Sequence, residues 1–107
     1  MNNVLSREQV YKLIDGERAY QDERWNPDTT ASGGLNSPQE WLTYIADYTA
    51  EALHAGCREA DQTVRPKQME AIRKIAAMAV AAMEQLGAPD RLVVWKQSKA
   101  GGLATKA

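Results

Sequence analysis

Helix signals dominate this chain, and its first apolar stripe turns polar halfway along. From Ser6 to Trp25, Val10, Leu13 and Ile14 recur at helical spacing. Continued at about 100° per residue, that face next meets Glu17, Gln21 and Arg24. A carboxylate, an amide and a guanidinium thus stand where apolar side chains are expected. Burying such groups unpartnered costs several kcal/mol, so a metal ion, a charged ligand or a reciprocal ion pair must compensate them. An interior polar site is the first expectation.

The boundaries of three helices can be read from capping chemistry. Ser6 with Gln9 three residues on forms a capping box and opens the first helix, which runs to about Trp25. Gly16 inside it costs about 1 kcal/mol relative to alanine. Asn26-Pro27 ends it, and Asn26 to Asn36 reads as a mobile loop of the kind that closes over a site. Ser37-Pro38-Gln39-Glu40 combines a second capping box with proline at the first helical position. That helix continues to about Ala55, with Gly56 as the residue that ends it. Residues 57–65 form a polar link, and the third helix runs from Pro66 to Leu86, stopped by Gly87 and Pro89. Arg91 to Trp95 is expected to dock on the bundle as an extended or short helical segment. The reading is one all-α domain over residues 1–95, with a disordered tail over 96–107.

The third helix has an unusually wide apolar face: Met69, Ile72, Ile75, Ala76, Ala79, Val80, Met83 and Leu86. Ala77 and Ala81 soften the opposite side. A helix apolar nearly all round is buried on several sides, and three helices in one chain cannot easily surround it. The expected fold is therefore an all-α bundle completed by oligomerisation, as a homodimer or homotetramer.

Composition narrows the function classes. The chain has 107 residues, a formal net charge of −1 and 25% charged residues, with no basic excess to suit a nucleic-acid polymer. One cysteine, Cys57, excludes an internal disulfide framework. The longest apolar run, Ile75 to Met83, is too short to span a bilayer. Met1-Asn2-Asn3 lacks the blocks of a signal peptide, and a cytoplasmic location is expected.

Candidate chemistry sits on all three helices. On the second, Trp41, Ile45, Tyr48 and Ala52 centre the apolar face, and Glu40, Asp47 and Glu51 line its margin. Asp47 and Glu51 lie one turn apart, where like charges repel. A divalent cation between them would reverse that, and oxygen ligation suits Mg²⁺ or Mn²⁺ rather than zinc. The same margin is also what a solvated helix edge looks like. Glu17 has its own structural alternative, an internal ion pair with Arg24 or Arg73. Arg73, in the middle of the third helix's face, fits either that pair or a planar clamp for phosphate, and Lys74 adds a second positive charge. Trp25 and Trp41 read as core rather than stacking platforms, His54 as a surface residue and Cys57 as inert. Gly33-Gly34 has neither the lysine nor the spacing of a phosphate loop.

Four segments resemble small MazG-like proteins of bacteria and phages. They are ERAYQDERW over 17–25, EWLTYIADYTAEAL over 40–53, IRKIAAM over 72–78 and MEQLGAP over 83–89. The similarity covers residues 8 to 91, and its most specific blocks are ERAYQDERW and DYTAEAL. The resemblance implies a Mg²⁺-dependent (or Mn²⁺-dependent) nucleotide pyrophosphohydrolase that cleaves nucleoside triphosphates to monophosphate and pyrophosphate. It implies Asp47 and Glu51 as metal-holding, catalytic carboxylates from the second helix. Glu17 and Asp22 become site carboxylates from the first, with Glu17 a third metal ligand. Gln21 and Trp25 are the substrate-binding residues beside them, and Arg73 and Lys74 contact phosphate. The family's usual pair of motifs, ExxE on one helix and ExxD on a later one, is absent. The second helix carries D-x-x-x-E instead, and Glu70 is followed three residues on by Arg73. A ligand moved to the first helix would account for Glu17. The alternative reading is a non-catalytic helical oligomer that binds a nucleotide or a protein partner.

Overall fold

The computed structural model describes residues 4–26, 28, 34–58 and 61–91, with the side chains of 61–63 left aside. Three helices account for its regular structure: α1 (Arg7–Arg24), α2 (Pro38–Arg58) and α3 (Asp61–Leu86). There is no strand among the described residues. Both capping boxes form. The Gln9 amide donates to Ser6 Oγ at 3.1 Å, and the Ser6 amide donates to Gln9 Oε1 at 2.8 Å. Glu40 and Ser37 exchange the equivalent bonds at 3.1 and 2.8 Å. Each box satisfies amides that the first turn would otherwise leave unpaired. Gly87, at φ +78°, closes α3 by donating its amide to the Met83 carbonyl at 2.8 Å.

The expected link over 57–65 is corrected by the structure. α2 runs through Gly56 to Arg58, and α3 begins at Asp61, five residues before Pro66. Gly56 is a packing residue rather than a helix end. A Cβ there would lie 2.7 Å from Gln68 Nε2, whose amide donates to the Ala52 carbonyl at 3.2 Å. Close approach of α2 and α3 just beside their connection explains both the glycine and the early start of α3. Pro66 forgoes one helical hydrogen bond at a cost of about 3 kcal/mol, which docking of the flanking turns must offset.

α3 is the central element. It packs against α2 and against α1, whereas the backbones of α1 and α2 do not approach each other closely. The apolar core is Trp41, Met78 and Ala81, with Trp25, Ile45, Tyr48 and Ala82 packed around it. Ala77 is also buried. The most buried side of α3 is therefore its alanine side, while Ile75, Ala76, Ala79 and Val80 of the expected face are half-buried. The alanine side carries both neighbours, because small side chains let helix axes come close. Met69, Ile72, Met83 and Leu86 remain about half exposed, as do Val10 and Leu13 of α1.

The loop between α1 and α2 is drawn together at its ends. Gly34, at φ +83°, approaches the Trp25 carbonyl so closely that a Cβ would sit 2.5 Å from its oxygen. Gln85 of α3 then fixes the exit from the loop. Its Nε2 donates to the Gly34 carbonyl at 2.7 Å, and its Oε1 accepts from the Asn36 amide at 3.2 Å and from Trp41 Nε1 at 3.1 Å. Most of the expected closing loop, residue 27 and residues 29–33, lies outside the described residues, as do residues 92–95 and the tail over 96–107. Among the described residues, no helix is long and apolar enough to cross a membrane.

Candidate functional site between the first and third helices

The polar turn of the first stripe is where α1 meets α3. Glu17 and Gln21 are the buried residues of α1, while Val10 and Leu13 are exposed. Glu17 is compensated from α3: Arg73 Nε donates to Glu17 Oε1 at 2.9 Å. The Glu17 side chain is 8% exposed and that of Arg73 39%. Arg73 Nη2 also lies 3.6 Å from Glu70 Oε2. Arg73 is thus engaged by carboxylates, not displayed as an open phosphate clamp. Arg24 does not share this pair. Its guanidinium lies 5.7 Å from the Tyr20 ring centroid, with Nη1 donating to the tyrosine hydroxyl at 3.2 Å.

Gln21 is only 3% exposed. Its Nε2 donates to the Lys74 carbonyl at 3.3 Å, and its Oε1 is buried with no hydrogen-bond partner. A carbonyl can only accept, so the amide cannot be turned over without facing oxygen to oxygen. Gln21 borders a cavity of about 150 Å³ together with Glu17, Trp25, Tyr48, Lys74 and Met78. Tyr20 and Arg24 complete its wall. Four expected site residues, Glu17, Gln21, Trp25 and Lys74, therefore meet at one place.

The other expected residues do not. Asp22 is exposed and bonded by Arg18, whose Nη2 donates to it at 2.9 Å. Arg18 also donates through Nε to Glu84 at 3.0 Å, tying α1 to α3 outside the cavity. Burial pulls the Arg18 pKa down, but the bonds to Glu84 and Asp22 outweigh it and hold the guanidinium above its ordinary value. Asp47 and Glu51 open with His54 onto a shallow hollow of α2, away from Glu17. Glu51 also reaches a cavity of about 180 Å³ between α2 and α3, bordered by Tyr48, Lys67, Glu70 and Lys74.

The expected convergence of Glu17, Asp47 and Glu51 on one ion is thus not what a single chain builds. Among the described residues, no three Asp, Glu, His or Cys side chains are placed to hold a metal. The physical reason is the topology. Glu17 faces α3 and is claimed by Arg73, and the backbone of α1 does not pack against that of α2, which carries the other two.

Tyr48 was expected only as a core residue and joins Lys74, an expected phosphate contact, at this site. Tyr48 and Lys74 border both interhelical cavities, so they lie where the two helix pairs meet. The signal for Tyr48 was its place at the centre of an apolar stripe, where a phenol brings a polar tip to the edge of a core. Lys74 forms no ion pair among the described residues. Gln85 was also overlooked; the indole N–H of buried Trp41 implies an acceptor nearby, but no spacing rule identifies it. Comparison with models of protein families finds no match to this chain, and comparisons with curated proteins and with solved structures find none either.

Proposed function

We propose that the protein binds a nucleoside triphosphate in the cavity between α1 and α3, and that pyrophosphohydrolysis is the reaction it serves, as the MazG-like resemblance implies. The observation that carries the binding half is the meeting of Glu17, Gln21, Trp25 and Lys74 on one polar cavity. Trp25 and Tyr48 provide aromatic surface for a base. The Lys74 ammonium, without an acidic partner among the described residues, is suited to phosphate oxygens. Uncovered Met69, Ile72, Met83 and Leu86 support an oligomer, because a second copy would remove them from water.

Mg²⁺ needs several oxygen ligands, and one chain does not gather Glu17, Asp47 and Glu51. That same observation favours the second reading, an oligomer that binds nucleotide without cleaving it.

Pyrophosphate release from a panel of NTPs and dNTPs, with Mg²⁺ or Mn²⁺, separates the two readings when combined with calorimetry. Turnover that is lost in Asp47→Ala and Glu51→Ala supports the hydrolase. Binding that is indifferent to metal, with no turnover, supports the binding protein. No binding of any nucleotide overturns both.

A further inference from the structure

We infer that Gln85 is a positioning residue for the proposed nucleotide site, and that it acts by fixing Trp25, an aromatic wall of the α1–α3 cavity. The inference rests on that site and names what holds its stacking surface in place. Trp25 borders the cavity and Gln85 does not.

Gln85 lies four residues after Ala81 and seven after Met78, on the stripe of α3 that carries the core. A polar side chain at the end of such a stripe needs partners, and Gln85 finds them on two other segments. Its Oε1 accepts from Trp41 Nε1 at 3.1 Å and from the Asn36 amide at 3.2 Å, and its Nε2 donates to the Gly34 carbonyl at 2.7 Å. Donors meet the oxygen and a carbonyl meets the nitrogen, so a single orientation of the amide satisfies every bond. One side chain thus ties the end of α3 to the start of α2 and to the chain that leads into it.

Trp25 is held between these segments. At its backbone, Gly34 stands so close that a Cβ there would lie 2.5 Å from the Trp25 carbonyl oxygen. Gly34 is at φ +83°, a conformation that side-chain-bearing residues rarely adopt. At its side chain, Trp25 packs against the cluster of Trp41, Met78 and Ala81. Gln85 bonds both neighbours, Gly34 at its carbonyl and Trp41 at its indole N–H. Trp25 itself stands just past the last residue of α1, joined to that helix by its amide on the Gln21 carbonyl at 2.8 Å. Helix ends fray unless contacts outside the helix hold them. Here those contacts lead back to Gln85 from both sides. A ring fixed before the ligand arrives avoids the cost of ordering it on binding.

Gln85→Glu separates the two ends of this arrangement. A carboxylate still accepts from Trp41 and Asn36, but it meets the Gly34 carbonyl oxygen to oxygen. Wild type and variant are labelled with 5-fluorotryptophan, and each ¹⁹F resonance is assigned through Trp25→Phe, Trp41→Phe and Trp95→Phe. The Trp25 resonance is expected to shift while that of Trp41 stays in place. Calorimetric titration with ATP, GTP, CTP and UTP should show affinity lowered about tenfold for each nucleotide that the wild type binds, within the range for loss of one base–aromatic stack. A residue that served stability alone would move the urea midpoint and leave both readouts unchanged. An unmoved Trp25 resonance overturns the inference, whatever happens to affinity. A shifted resonance with unchanged affinity overturns the role in binding. If Gln85→Glu does not fold, Gly34→Ala presses the same joint from its other side and must give the same two results. If the wild type binds none of the four nucleotides, the functional proposal falls and the binding role with it, while the Trp25 resonance still decides whether Gln85 fixes the ring.

Discussion

The two contacts made by α3 are built from opposite materials. Against α2 it buries Trp41, Met78 and Ala81, and Gly56 admits Gln68 at close range. Against α1 it offers a guanidinium to Glu17, a backbone carbonyl to Gln21 and a carboxylate to Arg18. The first contact draws on area removed from water and tolerates small changes of angle. The second depends on bonds with fixed geometry, whose net worth in water is small but whose disruption is costly. Stability and site are thereby divided. The α2–α3 pair holds the fold, and the α1–α3 pair leaves an unsatisfied polar cavity beside it.

The largest effect should come from the apolar side. Trp41→Ala removes a 3% exposed indole and the donor that Gln85 accepts. It should cost about 3–5 kcal/mol, measured by urea denaturation. A loss below about 1 kcal/mol would show that this contact does not dominate.

Next comes the ion pair. Arg73→Met strands the Glu17 carboxylate and should cost about 1–3 kcal/mol, less than a fully buried pair because Arg73 is 39% exposed. Adding Glu17→Leu should recover most of that loss. A double-mutant cycle with no coupling between the two positions would remove the ion pair from the account. The Arg18 guanidinium, held above its ordinary pKa, adds stability that is present at neutral pH and lost only in strong alkali. It should therefore contribute no pH dependence near neutrality, which a pair of melts at pH 7 and 9 would check.

The two contacts should also separate in native-state hydrogen exchange. Amides of α1 should exchange faster than those in the middle of α2 and α3, since α1 buries a carboxylate and an amide instead of large apolar side chains. Equal protection along all three helices would make the fold one cooperative unit. The smallest effect is expected at Gly56→Ala. Better helix propensity gains about 1 kcal/mol, and displacing the flexible end of Gln68 gives up about as much. A large loss there would mean that the α2–α3 approach is far less forgiving than its apolar character suggests.

Local chemistry made much of this molecule legible from its residues. Ser6 with Gln9, and Ser37 with Glu40, carry their own capping partners within one turn, so both starts could be placed in advance. Glu17 and Gln21 stood out because polar groups on a stripe need compensation wherever the chain goes. Arg73 was one of two named partners for Glu17. Gly56 was misjudged because glycine ends helices and also lets them touch, and only a neighbour distinguishes the two uses. The face of α3 was misjudged for a related reason. Apolar surface states that something will be covered, but not which of two apolar sides the chain itself will cover.

What the sequence determined alone is the all-helical class, the capped starts of the first two helices and the presence of an interior polar position. These follow from interactions spanning three or four residues. Tertiary structure decided which side of α3 is buried, that Glu17 pairs with Arg73, that Asp47 and Glu51 stay apart from it, and that a cavity opens beside Gln21. Those outcomes depend on how distant side chains meet, such as Glu17 and Arg73 at a separation of 56 residues, and hydrophobic burial, being non-directional, leaves that choice to the packing of the whole.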